Sequence, residues 1–206
     1  MFMSIYKKAL GDQFYNLHPM LRKRYEFNEG VIFKGKGTMK SINGGPKWLF
    51  PFFRLGVRWK LLFPEHGRNV PFEIVNTPKN GKNGEEQIHW KRTFYFDGKK
   101  RYFNALMSLD PKRNIIKDYL GEPHLVYSDL LLSCTNDGGL QIDSKDQYLV
   151  IGKIEIPLPR VFQGLATVTE RYIDERNKYA IKVVVRNPII GVVFSYEGEF
   201  ISHDIF

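Results

Sequence analysis

The sequence predicts a mainly β, α+β fold: an antiparallel β-barrel or strongly curled sheet of about nine to ten strands, with an N-terminal helix and a helical lid near residues 46–63. Three observations carry this. Residues 165–200 form three segments that alternate apolar and polar side chains between short polar breaks, the period of two that a half-buried strand requires. Upstream, hairpin-type connections recur at 80–84, Asp97-Gly98 and 136–139, built from residues that tolerate positive φ. Strands and helices never alternate, which disfavours a doubly wound nucleotide-binding sheet, and no long C-terminal helix supports a helix-grip fold.

Taken in order, residues 4–24 carry Ile5, Leu10, Phe14, Leu17 and Leu21 at helical spacing, with Gly11 and Pro19 as break points. One or two helices plugging an end of the sheet are expected. From Glu29, Val31, Phe33, Gly35 and Gly37 with lysines between them read as a glycine-softened strand. Gly35-Lys36-Gly37 lacks the following helix of a phosphate loop, so a bend or bulge is expected there. After the turn Asn43-Gly44-Gly45-Pro46 comes the most apolar stretch. Trp48, Phe52, Phe53 and Trp59 are interleaved with Arg54, Arg58 and Lys60, and Pro51 and Gly56 interrupt the helix. Such a segment suits a core helix or lid whose arginines reach outward, with the surface of an anionic membrane as the second reading.

Strands then follow at 70–77, 86–96, 101–109, 112–120, 125–135, 140–143 and 147–156. Pro157 and Pro159 cannot extend a central strand, so 157–162 is a corner or one helical turn. The final meander alternates through Ala166, Val168, Glu170 and Tyr172, through Tyr179, Ile181, Val183 and Val185, and through Val192, Phe194, Tyr196 and Phe200, with breaks at Asn177 and Asn187-Pro188.

With 206 residues, 43% of them hydrophobic and 15% aromatic, the chain can bury a substantial core, and a single domain over 1–206 is expected. No window is apolar enough for a membrane-spanning helix, the start lacks the apolar core of a signal peptide, and a single cysteine, Cys134, excludes an internal disulfide. A cytoplasmic location follows, with membrane association through 48–63 as the second reading. The net charge of +9 is uneven: 23 basic and 9 acidic residues precede Asp118, against 8 and 13 from there on. A basic surface of this kind attracts anionic lipid or an acidic partner, or simply keeps the protein soluble. Nucleic acid is disfavoured, because no recognisable binding motif accompanies the charge.

The five histidines have no metal-ligand spacing, no Gly-x-Ser-x-Gly elbow or P-loop is present, and Cys134 lies in an apolar run as a structural thiol. No metal and no cofactor are expected. Two positions break the apolar pattern. The strand period places Arg92 beside Ile88, Trp90, Phe94 and Phe96 on the inner face, where a guanidinium needs an acid or an anion. Glu170 is the complementary exception between Val168 and Tyr172, and Tyr196 brings a hydroxyl to the same interior. Either Arg92 and Glu170 form a structural ion pair, or they mark a polar spot at the base of an apolar cavity.

Together Trp90-Lys91-Arg92-Thr93-Phe94, Gly139-Leu140, the run from Gly152 through Ile156-Pro157-Leu158-Pro159, Glu170, Asn187-Pro188-Ile189-Ile190-Gly191 and Tyr196-Glu197-Gly198 resemble a bacterial family of domains of unknown function, number 4166, including the soluble C-terminal part of YndJ-type proteins. The resemblance runs from the N-terminal helix to Phe200 and implies an accessory or ligand-handling module. It supplies no catalytic residues; Arg92, Glu170 and Tyr196 coincide with its pattern.

The leading expectation is a binding module that holds an apolar ligand with an acidic head group inside the barrel. Trp90, Arg92, Phe94, Glu170 and Tyr196 would form the site, and Trp48, Phe52, Phe53, Arg54, Arg58 and Trp59 the lid or membrane-facing surface. One alternative is a small enzyme or accessory subunit using Glu170 as acid or base. The other is a structural or interaction domain with a filled core. The candidate partners are an apolar or lipid-like small molecule and an anionic membrane surface or membrane protein.

Overall fold

The computed structural model of the chain describes residues 4–26, 30–82 and 84–203. Glu29, where the first strand is expected to begin, and Asn83 of the first hairpin loop lie outside the described residues. Helices α1 (Ile5–Leu10) and α2 (Pro19–Tyr25) flank a 3-10 segment, Gly11–Asn16. The strands are β1 (Phe33–Asn43), β2 (Gly67–Asn80), β3 (Glu86–Phe96), β4 (Lys99–Tyr102), β5 (Ala105–Asp110) and β6 (Ile115–Leu120). They continue with β7 (Val126–Cys134), β8 (Leu140–Ile151), β9 (Ile154–Pro157), β10 (Leu165–Ile173), β11 (Lys178–Asn187) and β12 (Gly191–Ser202).

Ten of these strands close an antiparallel barrel in the order β10-β11-β12-β1-β2-β3-β5-β6-β7-β8, and β8 pairs back onto β10 to complete it. The fold expected from the alternation is therefore the fold observed, with β4 and β9 added outside the ring as partners of β3 and β8. The two glycines of β1 have a packing reason. A Cβ on Gly37 would lie 2.0 Å from the Glu199 carbonyl, so β1 and β12 approach too closely for any side chain there. The bend or bulge expected at Gly35-Lys36-Gly37 is not there, since those residues pair with β12 in unbroken register; the β1–β12 register shifts only between Met39 and Ser41.

Two expected strands divide differently. The stretch 101–109 splits because Asn104 turns into the ladder: its Oδ1 accepts from the Arg92 amide at 3.3 Å, and the Phe103 amide donates to the Arg92 carbonyl at 3.1 Å. As a result β3 pairs with β4 at one end and with β5 at the other. The stretch 140–143 and the first half of 147–156 instead join into one strand, β8, because a bulge opposite Ser128 and Leu130 leaves Lys145 and Asp146 in solvent without ending the pairing, while the second half of 147–156 forms most of β9. The chain then reverses at Gly152, φ +63°, into β9.

The N-terminal helices plug one end of the barrel: α1 lies on β5, β6 and β7, and α2 against β10. Ser4 caps α1 and also donates to the Tyr25 carbonyl at 2.5 Å, locking the two helices together. At the other end a 3-10 turn (Lys47–Leu49) and α3 (Phe50–Arg58) lie across the opening. Gly45, φ +82°, permits that approach, since a Cβ there would meet the Val193 carbonyl at 2.1 Å. Between the ends, Phe63, Phe72, Phe94, Phe194 and Tyr196 pack ring against ring, with neighbouring centroids such as Phe63–Phe194 at 5.0 Å and Phe94–Tyr196 at 5.2 Å.

Candidate functional site

The barrel is not filled. A cavity of about 480 Å³ runs inward from the end opposite the helical plug. Its walls are mostly apolar, with Trp90, Phe103 and Met107 facing Ile181, Val183 and Val185, and its mouth is edged by Trp48, Phe52, Val161, Phe162 and Ile190. The crossover 158–164 is held over the mouth by Gln147, whose Oε1 accepts from the Gly164 amide and whose Nε2 donates to the Gly164 carbonyl, each at 2.8 Å. Asn187 ties the same crossover to the β11–β12 turn by donating to the carbonyls of Val161 and Gln163 at 2.9 and 2.8 Å.

Two ionisable side chains share this apolar space, Arg92 from β3 and Asp118 from β6. Arg92 sits where β3 changes partner from β4 to β5, and the break that causes the change also positions its guanidinium. Nε donates to the Phe103 carbonyl at 2.7 Å, and Nη1 donates weakly to the Tyr196 hydroxyl at 3.4 Å. The Phe103 ring covers the guanidinium at 4.1 Å. Nη2 makes no hydrogen bond among the described residues. Asp118, between Met107 on β5 and Ser128 on β7, is buried, and its Oδ1 has no hydrogen-bond partner among the described residues. Burial pushes the Asp118 carboxyl up to about 7, against the opposing pull of the Arg92 charge.

The sequence-predicted residues distribute as follows. Trp90 and Arg92 form part of the cavity wall, while Phe94 and Tyr196 stand behind it in the aromatic cluster, Tyr196 touching Arg92. Glu170 corrects the expectation. It does not pair with Arg92 and does not reach the cavity. It is held instead by Arg24 of α2, which donates from Nε to Oε1 and, at 3.3 Å, from Nη2 to Oε2, with the Tyr25 hydroxyl donating to Oε2 at 3.0 Å. Burial opposes the charge on Arg24, but the Glu170 carboxylate more than compensates and keeps it protonated. Sealed in this way, Glu170 cannot serve as acid or base toward a ligand in the barrel. In the 48–59 segment, Trp48, Phe52 and Phe53 line the cavity, Arg54 and Arg58 are exposed, and Trp59 terminates α3.

Sequence reasoning missed Arg24 and Asp118, although both follow the patterns that exposed Arg92. Leu17, Leu21 and Arg24 lie on one helical stripe, and Ile116, Asp118 and Leu120 alternate onto one strand face. Cys134, at the end of β7, is partly buried, and its thiol is pushed up by burial, in keeping with a structural role. Among the described residues no cluster of His, Cys, Asp and Glu is arranged to hold a metal ion, and no helix is long and apolar enough to cross a membrane.

Glu122 tethers the C-terminal end of the segment over the mouth. Glu122 accepts from Lys60, from Asn104 Nδ2 at 2.8 Å and contacts His89 Nε2 at 3.0 Å, while its amide donates to the Trp59 carbonyl at 2.7 Å. Burial works against its charge, but the hydrogen bonds from Lys60, Asn104 and His89 outweigh it and lower its pKa to about 2. A charge-assisted bond contributes about 1.5–3 kcal/mol. In Glu122→Ala, amide exchange over 46–60 should therefore be at least about tenfold faster by mass spectrometry, with β10–β12 unchanged. Equal exchange in the two proteins would show that the tether does not restrain the lid.

A wider depression of about 900 Å³ lies outside the barrel across β10–β12 and β1. Several of its charges pair, as in Arg176–Glu199 at 2.7 Å and Lys182–Glu197 at 3.5 Å, while Lys40 and Arg171 also line it, so it is a mixed-charge outer surface and not an apolar pocket with a buried recognition group.

A model for a domain of unknown function, DUF4166, matches residues 17–200. The uncharacterized protein YndH of Bacillus subtilis (strain 168) is 41% identical over 197 residues, covering 96% of both chains. The matched region runs from just before α2 through the barrel into β12, with Arg92 and Asp118 inside it. The chain belongs to the DUF4166 family.

Proposed function

We propose that this barrel is a binding module for an apolar molecule with an acidic head group. The observation that carries the reading is an apolar cavity of about 480 Å³ into which a guanidinium nitrogen and a carboxyl oxygen project with no hydrogen-bond partner among the described residues. The volume is within the range of small-molecule sites, where apolar walls supply affinity and a few polar groups set orientation. Arg92 holds the anion, its Nε fixed by Phe103 so that the free edge of the guanidinium faces the ligand. Asp118 accompanies it as a protonated carboxyl, because an ionised one would repel the head group. Trp90 and the β11 valines enclose the chain, and the Trp48–Phe53 segment covers it.

The test is displacement of cis-parinaric acid by hexadecanoic acid and by hexadecanol at a pH near 6. Arg92→Met should bind the acid at least about 30-fold more weakly, the loss of a charge-assisted contact of about 2 kcal/mol, and the alcohol within about threefold of wild type. No displacement by wild type, or equal weakening of acid and alcohol in the variant, would remove the proposal.

A further inference from the structure

We infer that the mouth of the barrel is a docking surface for an anionic lipid bilayer. Three segments distant in sequence present large apolar side chains to solvent at this single opening. Phe162 is 73% exposed, Ile189 71%, Phe52 68% and Trp48 57%. Trp48, Phe52, Val161, Phe162 and Ile190 all edge the cavity, so they form one rim and are not scattered surface residues. Asn187 fixes two parts of that rim together by bonding the 161–163 turn and, through Oδ1, the amides of Ile189 and Ile190 at 2.9 and 3.1 Å. A rigid apolar ring at the entrance to a cavity is a solubility liability unless something covers it.

Charge identifies the cover. Residues 46–63, 158–166 and 184–193, which build the rim, contain no Asp or Glu. They contribute the exposed cations Lys47, Arg54, Arg58, Arg160 and Arg186. On the outer sheet the pattern differs, with Arg176, Lys178 and Lys182 facing Glu197 and Glu199. Aromatic and aliphatic side chains ringed by exposed arginines with no ion pair among the described residues match the boundary of an anionic bilayer, where the rings sit at headgroup depth and each cation gains from the negative surface. The polar strand faces along the flank of the barrel stay in water. That such a surface delivers ligand from the bilayer into the cavity rests on the binding reading above; the docking itself does not.

The experiment is flotation of the full chain with vesicles of phosphatidylcholine alone or mixed with phosphatidylglycerol, at about 0.1 and 0.5 M salt. Wild type should partition into the anionic vesicles, less at high salt, and little into the neutral ones. Phe52→Asp/Phe162→Asp should lower partitioning by about tenfold or more with unchanged melting temperature, since both side chains are exposed, and Arg58→Gln/Arg160→Gln by about 5-fold per charge removed. Quenching of Trp48 by brominated lipid, absent in Trp48→Phe, should place that ring in the interface. Arg92→Met should float like wild type, so a failed ligand assay leaves this result standing and separable. The inference is overturned if wild type stays with neither vesicle, or if the Phe52/Phe162 variant floats unchanged. It is equally overturned if sedimentation shows a dimer that the same variant dissociates, which would make a second copy the cover.

Discussion

Glu170→Gln is expected to lower the stability of the barrel by about 3–5 kcal/mol, a fall of roughly 6–20 °C in melting temperature for a domain of this size. The reason is the state in which it leaves Arg24. That guanidinium has a fully buried side chain, and Glu170 is its ion-pair partner. It is stacked at 4.1 Å on Phe33 and at 5.2 Å on Phe200, with Asn76 Oδ1 at 3.1 Å as a further acceptor. Removing the carboxylate strands a cation that cannot shed its proton among aromatic rings. The two residues are 146 positions apart, one on the helical plug and one on β10, so the variant should also loosen α2 from the barrel. Arg24→Met/Glu170→Leu should recover most of the loss, because the net value of a buried pair is small even when the cost of breaking it is large. Urea unfolding followed by tryptophan fluorescence measures both; a single-variant loss below about 1 kcal/mol would contradict the sealed geometry.

That pair also shows how much of the architecture and of the site was legible before the structure. The alternation in β3, β10 and β11 names the inward residues correctly because a strand's faces are fixed by its period, and in β12 it does so from Phe194 onward; Val192 was expected inward, but a bulge opposite Val185 and Arg186 turns Val193 into the cavity instead. That Arg92 and Tyr196 both face the interior follows from the period alone. The period says which side chains share the interior, but not which of them touch, since contact depends on shear and on where the ring closes. Arg92 and Glu170 therefore looked like partners, although closure of β8 onto β10 and docking of α2 give Glu170 to Arg24. The division of 101–109 was equally hidden: it depends on one asparagine entering the ladder from a strand end. In the 48–63 stretch the amphipathic pattern established a helix, and only the shared mouth with 161–162 and 190 reveals what its apolar face adjoins.

The second large effect is a pH dependence, and its sign follows from Asp118. In the unfolded chain its pKa is about 4; in the barrel, burial raises it to about 7. Between those values the folded protein keeps a proton that the unfolded chain has released. Stability from this group is thus fully present below about pH 4, declines by about 1.4 kcal/mol per unit as pH rises toward 7, and is level above it. Asp118→Asn should abolish the slope, leaving stability equal to wild type near pH 4 and higher by up to about 4 kcal/mol near pH 8. The charged neighbour that acts on Asp118 is Arg92, which lowers its pKa, so Arg92→Met should extend the decline above pH 7. An anionic head group neutralising Arg92 should do the same, which makes binding take up a proton. Affinity for hexadecanoic acid should then fall about tenfold per unit above pH 7 in wild type and stay level in Asp118→Asn, whose amide can donate at any pH. Calorimetry in buffers of different ionisation enthalpy measures the proton directly. A wild-type affinity that is flat between pH 6 and pH 9, with no buffer dependence, would mean that Asp118 does not face the ligand.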